Sequence, residues 1–213
     1  MSIKRGLMVA GVGLPGVGKS TIFKALGNQK NWKHLCEPEE SDWPLAVKMQ
    51  EASGAFTALT WFRAMRVPNL FIADSLRQQG QIVLVDSYYD KLMTHYIKEP
   101  NMEWLMHPND PYFQLTNQMA LADNINLPTA DIMVFFEATF ISWKKLIMSR
   151  KRQLDLERVF PDAFLFQNVL LKAAEVECKK GSTQLIVFEN EYGSIDRSTF
   201  KLGVLLENLI DSR

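Results

Sequence analysis

Cysteine is scarce in this chain: Cys36 and Cys178 are the only two in 213 residues. Two thiols cannot build a disulfide framework, and no CxxC pair or Cys/His cluster offers a structural zinc site. A reducing, cytoplasmic setting is the default expectation. Net charge is missing as well. Lys and Arg number 24 and Asp and Glu number 24, a formal charge of +0. That balance disfavours a general nucleic-acid coat or a polybasic membrane binder, so neither nucleic acid nor membrane is expected as a partner. No apolar run reaches the roughly 18–20 residues of a spanning helix. His34, His95 and His107 are too scattered for a metal site and are expected to be structural or superficial. Internal repeats and low-complexity tracts are absent. What remains is ordinary globular composition, 47% hydrophobic and 23% charged, in a length that suits one domain over 1–213 with room for a flexible lid.

The chain alternates apolar strands with helical stretches. Leu7–Val12 (LMVAGV) fits a strand buried on both faces. Lys4-Arg5 before it looks like the start of a secretion signal, but the glycines, the proline and Gly18-Lys19-Ser20 that follow fit a strand and loop better. A helix opens over Lys19–Leu26, and Leu35-Cys36 makes a weak second strand ended by Glu37-Pro38. From Trp43 to Gln79 the pattern is mainly helical, broken near Gly54 and at Pro68 and stopped by Gly80. Gln81–Val85 is a strand with Asp86 at its carboxyl end. Lys91–Ile97 reads as helix, Pro100–Pro128 as mixed loop and helix, Asp131–Phe136 as strand, and Ser142–Arg152 as a helix with a basic end. Phe164–Lys180 is helical, Gln184–Phe188 is the last strand, and Ser198–Leu209 closes the chain as a helix N-capped by Ser198. Five short strands separated by helices imply an α/β fold, a three-layer α/β/α sandwich around a five-stranded parallel sheet. Ligands of such sheets bind beyond the carboxyl ends of the strands. Gly13, Glu37, Asp86, Glu137 and Glu189 all follow strands, so polar chemistry should gather at one edge.

One motif is specific. Gly13-Leu14-Pro15-Gly16-Val17-Gly18-Lys19-Ser20 matches G-x-x-x-x-G-K-[ST] between an apolar strand and a helix. Glycines let the backbone curl so that its N–H groups face phosphate oxygens, and the helix start adds its positive dipole end. Lys19 then serves the β- and γ-phosphates and the Ser20 hydroxyl serves Mg²⁺. The nucleotide contact is expected over Gly13, Leu14, Pro15, Gly16, Val17, Gly18, Lys19, Ser20 and Thr21, with ATP and Mg²⁺ as cofactors. No N-K-x-D guanine motif is present, which disfavours a GTPase, and motor or AAA-type ATPases run longer. A short chain with this loop points to a phosphotransferase acting on a small molecule.

Several further segments fall in a telling order. Lys33-His34-Leu35-Cys36-Glu37-Pro38 is a strand followed by Glu-Pro, and Ser75 to Tyr88 is a helix, a glycine, a strand and an acid. Ala138-Thr139 then precedes Arg150-Lys151-Arg152 with Asp155 after it, an R-x-R pattern with a following acid. Over about residues 5–160 this order resembles the P-loop deoxynucleoside kinases and thymidylate kinases. The resemblance implies transfer of the ATP γ-phosphoryl to the 5′-hydroxyl of a (deoxy)nucleoside, or to a nucleoside monophosphate. It also allows a homodimer paired through helices. By the resemblance Glu37 is the base or positioning group at the 5′-oxygen, Asp86 organises Mg²⁺ with Ser20, and Arg150 and Arg152, in a lid segment near 149–162, close over the phosphates. Trp43, Arg63, Arg66 and Tyr88 would face the acceptor, and the Glu189–Asp196 loop the adenine.

Simpler roles stay open for each of these residues: a solvated loop charge at Glu37, a helix N-cap at Asp86, and a dipole-complementing helix end for the arginines. Phe56, Trp61, Phe62, Tyr89 and Phe113 are further aromatics for a base pocket or for the core. One departure stands out. Deoxynucleoside kinases carry Glu-Arg-Ser and thymidylate kinases Asp-Arg-Tyr where this chain has Asp86-Ser87-Tyr88. Lys91, about one helical turn on, is the nearest basic substitute. The missing arginine motivates a third reading, a nucleotide-binding regulatory protein without phosphotransfer. An arginine aimed at an acceptor phosphate, Arg63 or Arg66, would favour a monophosphate acceptor over a nucleoside.

Overall fold

Leu7–Gly13 forms β1 with all seven residues buried. A strand without a polar position belongs at the centre of a sheet covered on both faces. The computed structural model describes residues 6–49, 53–100, 102–103, 105–150, 161–181, 183–193 and 195–212, and in it β1 is the central strand of five. The others are β2 (Lys33–Leu35), β3 (Ile82–Val85), β4 (Ile132–Glu137) and β5 (Gln184–Glu189), in the order β2-β3-β1-β4-β5, with every pairing parallel. The helices are α1 (Lys19–Lys30), α2 (Leu45–Lys48), α3 (Ala55–Gln78), α4 (Tyr89–Tyr96), α5 (Phe113–Asn126), α6 (Phe140–Ser149), α7 (Pro161–Lys179) and α8 (Ile195–Asp211). This is the α/β sandwich with a parallel five-stranded sheet that the alternation implied.

Right-handed crossovers decide which face each helix covers. The connection from β1 to β2 runs one way across the sheet, and those from β2 to β3, β3 to β4 and β4 to β5 run the other way. Helix α1 therefore lies on one face, where α8 joins it, and α3, α4, α5 and α7 lie on the other. The loops leaving β1 and β3 part to opposite sides, which opens a crevice at the carboxyl ends of these neighbours. The phosphate loop and Asp86 both sit there.

Four local expectations are corrected. Pro68 does not break the helix: α3 runs unbroken for 24 residues with Pro68 inside it. Pro68 and Ala64, whose carbonyl would accept the missing N–H, are both exposed, so water can serve that carbonyl. Leu59 and Arg66 before the proline and Leu70 and Ala73 after it are all buried, which anchors both halves. Ser198 is not an N-cap. It lies inside α8, buried, and its hydroxyl donates to Asn190 Oδ1 at 2.9 Å. The second strand ends at Leu35, one residue before Cys36. Helix α6 also starts earlier than Ser142, because the Thr139 side chain caps it by accepting from the Ser142 N–H. The α4, α5 and α7 layer is tied by one carboxylate: Glu177 accepts from His95 at 2.8 Å and from Asn124 at 2.9 Å, with Lys180 at 3.4 Å.

Candidate active site

The phosphate loop takes its shape from its glycines. Gly13 has φ 141°, and a Cβ there would lie 2.5 Å from the Phe136 carbonyl oxygen. Gly18, with φ 98°, would set a Cβ 2.6 Å from Asn190 Nδ2. Neither conformation nor clearance admits another residue without strain. Two side chains brace the loop from outside. Trp143 Nε1 donates to the Pro15 carbonyl at 2.9 Å, and Asn190 Nδ2 donates to the Val17 carbonyl at 2.7 Å. The Asn190 contact is what the loop after β5 contributes here.

Lys19 opens α1 and is buried. Its Nζ donates to the carbonyls of Gly13 at 2.9 Å and Leu14 at 3.1 Å and to the Tyr89 hydroxyl at 3.0 Å. Burial lowers the Lys19 pKa to about 8, against the opposing pull of Glu37 and Asp86. Tyr89 in turn donates to the Gly13 carbonyl, and burial with Glu37 nearby raises its pKa.

Glu37 and Asp86 meet at the ends of β2 and β3. Asp86 is 1% exposed. Its Oδ1 lies 2.6 Å from His34 Nε2, and its Oδ2 accepts from the Glu37 N–H at 3.4 Å. The Glu37 carboxylate stands 3.6 Å from Arg66 Nη1 and keeps 29% of its side-chain surface exposed. Arg66, from α3, forks onto Asp90 of α4 at 2.8 and 3.0 Å. Its guanidinium also lies 5.6 Å from the ring centroids of Phe62 and Tyr89. Burial alone would lower the Arg66 pKa, but Asp90 and Glu37 more than offset it and hold it above the usual value.

Not every expected residue gathers here. Tyr88 is core rather than acceptor wall: it is 1% exposed, donates to the Pro128 carbonyl and accepts from the Ala130 N–H. The neighbouring Tyr89 is the ring that faces the phosphate loop. Arg63 forks onto Asp123 of α5 with two bonds of 2.6 Å. Lys91 cannot stand in for the missing arginine, because its buried Nζ donates to the Leu127 carbonyl at 2.7 Å. The Ser87 hydroxyl is buried without a hydrogen-bond partner. Asp86 is not an N-cap, since Tyr88 holds that position of α4. Trp43 bonds through Nε1 to the Pro38 carbonyl at 3.3 Å and meets Phe62 edge-on at 5.0 Å. Arg150 reaches the loop, with its Nη1 3.2 Å from where a Gly16 Cβ would stand. Arg152, Asp155 and most of the expected lid lie outside the described residues. His34, expected to be structural or superficial, and Asp90 are the contributors that motif reading missed, while Tyr89 enters it only as one of several aromatics and Asn190 only within the Glu189–Asp196 loop. His34 and Asp90 carry no mark beyond lying three residues before Glu37 and four after Asp86.

The donor set fits a hard divalent cation. Mg²⁺ keeps most of its water and takes one or two protein oxygens beside phosphate. Ser20 and Asp86 are such oxygens, and each Asp86 oxygen meets one donor, which leaves lone pairs over. Among the described residues no group of three His, Cys, Asp or Glu side chains could hold a metal by itself. The phosphates of a bound nucleotide would have to complete the shell.

No protein-family model and no curated protein matches the sequence. Solved structures do. A deoxyadenosine kinase from M. mycoides with bound dATP aligns at TM-score 0.68 and 14% identity, over 94% of this chain and 100% of that one. The same enzyme with dCMP and dCDP aligns at TM-score 0.60, 15% identity and 97% and 100% coverage. A thymidylate kinase from Candida albicans aligns at TM-score 0.58 and 18% identity, covering 96% of this chain and 92% of that one. The fold is that of the P-loop nucleoside and nucleotide kinases. Among the described residues no helix is long and apolar enough to cross a membrane.

Proposed function

We propose that this chain transfers the γ-phosphoryl group of Mg-ATP to the 5′-hydroxyl of a (deoxy)nucleoside. The observation that carries the reading is the convergence of Lys19, Glu37 and Asp86 at one sheet edge: Asp86 Oδ2 takes the Glu37 N–H at 3.4 Å, and a Cβ on Gly11 would lie 3.2 Å from the Asp86 carbonyl oxygen and 3.5 Å from Lys19 Cδ. Lys19 would leave its loop carbonyls to meet the β- and γ-phosphates, and the loop N–H groups would hold the rest of the triphosphate. Bound Mg²⁺ would neutralise charge on the phosphates, with Ser20 and Asp86 as its protein donors. Glu37 would orient the 5′-oxygen and take its proton as that oxygen bonds to phosphorus and ADP leaves. Arg150, beside Gly16, would offset charge on the transferred group, with Arg152 from the lid as a second guanidinium.

The arginines support a nucleoside over a monophosphate as acceptor. Arg63 and Arg66 are each already forked onto a carboxylate, Asp123 and Asp90. Each fork uses Nε and Nη2, so the paired carboxylate already compensates the guanidinium charge and weakens its pull on an acceptor phosphate. Phe62 lies against the Arg66 guanidinium and Trp43 meets Phe62 edge-on, a pair that suits a base wall.

The test is ADP release from Mg-ATP with four deoxynucleosides and the corresponding monophosphates, using Lys19→Ala as control. Turnover with a nucleoside that vanishes in the control supports the reading and names the base. Turnover with monophosphates alone moves the acceptor to the thymidylate side. ATP binding without turnover across the panel points to a regulatory nucleotide binder, the reading that Ser87 motivates.

A further inference from the structure

The strand-end acid is held almost wholly by one short segment. Asp86 Oδ1 lies 2.6 Å from His34 Nε2, its Oδ2 takes the Glu37 N–H, and its own N–H donates to the Leu35 carbonyl at 3.1 Å. Leu35↔Val85 is the last rung of the β2–β3 ladder, so beyond it and the Asp86 N–H bond the strand ends are registered through the Asp86 side chain. The imidazole is itself fixed, with its side chain 13% exposed. Helix α1 leaves room for it at Gly27, where a Cβ would lie 3.3 Å from His34 Cβ. Ser87 offers the acid nothing, because its Oγ is buried and unpartnered.

Resting on the phosphotransfer reading, we infer that His34 is a positioning residue that aims the Asp86 carboxylate at the cation of the bound nucleotide. A short bond to a carboxylate removes its rotameric freedom, and the Nε2 proton faces Oδ1 in the tautomer that donates. The second Asp86 bond, to the Glu37 N–H, extends the same registration to the residue proposed to meet the 5′-oxygen. Hydrogen-bond partners of a metal-binding carboxylate typically change metal affinity by about 10–100-fold when removed.

The experiment measures ATP affinity by titration calorimetry in EDTA and again in excess Mg²⁺. The ratio of the two affinities is the gain due to the cation. His34→Leu should leave the EDTA affinity unchanged and cut that gain by about 10–100-fold. His34→Asn, whose amide stops short of Asp86, should show the same loss and guards against misfolding of the apolar variant. His34→Gln places an N–H where Nε2 stands and should restore the gain to within about threefold of the parent, a tolerance set well inside that expected loss. A full gain in His34→Leu and His34→Asn overturns the assignment, as does a fall in both affinities together or a failure of His34→Gln to rescue. Absence of any ATP binding by the unaltered chain overturns the phosphotransfer reading as well, so the two failures are distinguishable.

Discussion

Removing the Asp90 carboxylate tests the electrostatics of the site at a buried ion pair. Arg66 is 9% exposed and Asp90 is 2% exposed, and two bonds of 2.8 and 3.0 Å join them. Breaking a buried pair by deleting one partner costs about 3–5 kcal/mol, because the other charge is left without compensation. In Asp90→Ala the remaining carboxylate is Glu37, 3.6 Å from Nη1 and partly solvated. Its help is that of a semi-exposed pair, at most about 1 kcal/mol. The expected loss is therefore about 3 kcal/mol. Urea unfolding followed by tryptophan fluorescence reads it directly. With a slope near 3 kcal/mol/M, the midpoint should fall by about 1 M. A double-mutant cycle sharpens the test. Glu37→Gln should cost more in the Asp90→Ala background than in the parent, since Glu37 is then the sole neutralising group. A midpoint shift below about 0.3 M, or strict additivity of the two changes, would refute the reasoning. Replacing the whole pair, Arg66→Met with Asp90→Leu, should be close to neutral for stability while abolishing whatever the pair does for the acceptor.

Three further outcomes are expected. Glu177 has its pKa lowered to about 2 from 4.5: burial opposes ionisation, but bonds from His95 and Asn124 and the charge of Lys180 overcome it. A lowered carboxyl pKa stabilises the fold above the unfolded value, so about 2 kcal/mol should be lost as pH falls from about 4.5 toward 2. His95→Leu should flatten that dependence between urea series at pH 6 and pH 3, and an unchanged slope would contradict it. Gly18→Ala must adopt φ 98° and push Asn190 off the Val17 carbonyl. It should lose about 1–2 kcal/mol of stability and at least about tenfold in ATP affinity by calorimetry, and an affinity equal to the parent's would be the contrary result. Pro68→Ala should raise the melting temperature. Alanine gains about 3 kcal/mol of helix preference and loses about 1 to the freer unfolded chain. Discounting further for the solvated Ala64 carbonyl, a net gain of about 1–2 kcal/mol corresponds to roughly 3–6 °C in calorimetry. A lower melting temperature would mean that α3 depends on the proline for its path.

Local rules were enough for the architecture. An unbroken apolar run such as Leu7–Val12 can only be an interior strand, alternation with helices requires parallel pairing, and parallel pairing brings every strand's carboxyl end to one edge. The phosphate loop was legible for the same reason, because its glycines, lysine and serine act through spacing within eight residues. The chain around the loop was not. Tyr88 and Tyr89 are adjacent at the start of α4, so a turn of about 100° decides which ring is buried against Pro128 and which meets Lys19. Arg63 and Arg66 share one helix, yet the first finds Asp123 in α5 and the second Asp90 in α4. His34 and Asp86 are 52 residues apart in sequence and 2.6 Å apart in space. Even Pro68, the strongest local signal against helix, was overruled by burial on both sides of it. Periodicity and turn chemistry act over one or two turns of chain, so sequence alone determined most of the elements, their parallel pairing and the glycine-shaped Gly13–Ser20 loop. A charged or aromatic side chain settles on whichever partner packing brings within reach, so only the tertiary structure decided which groups surround that loop.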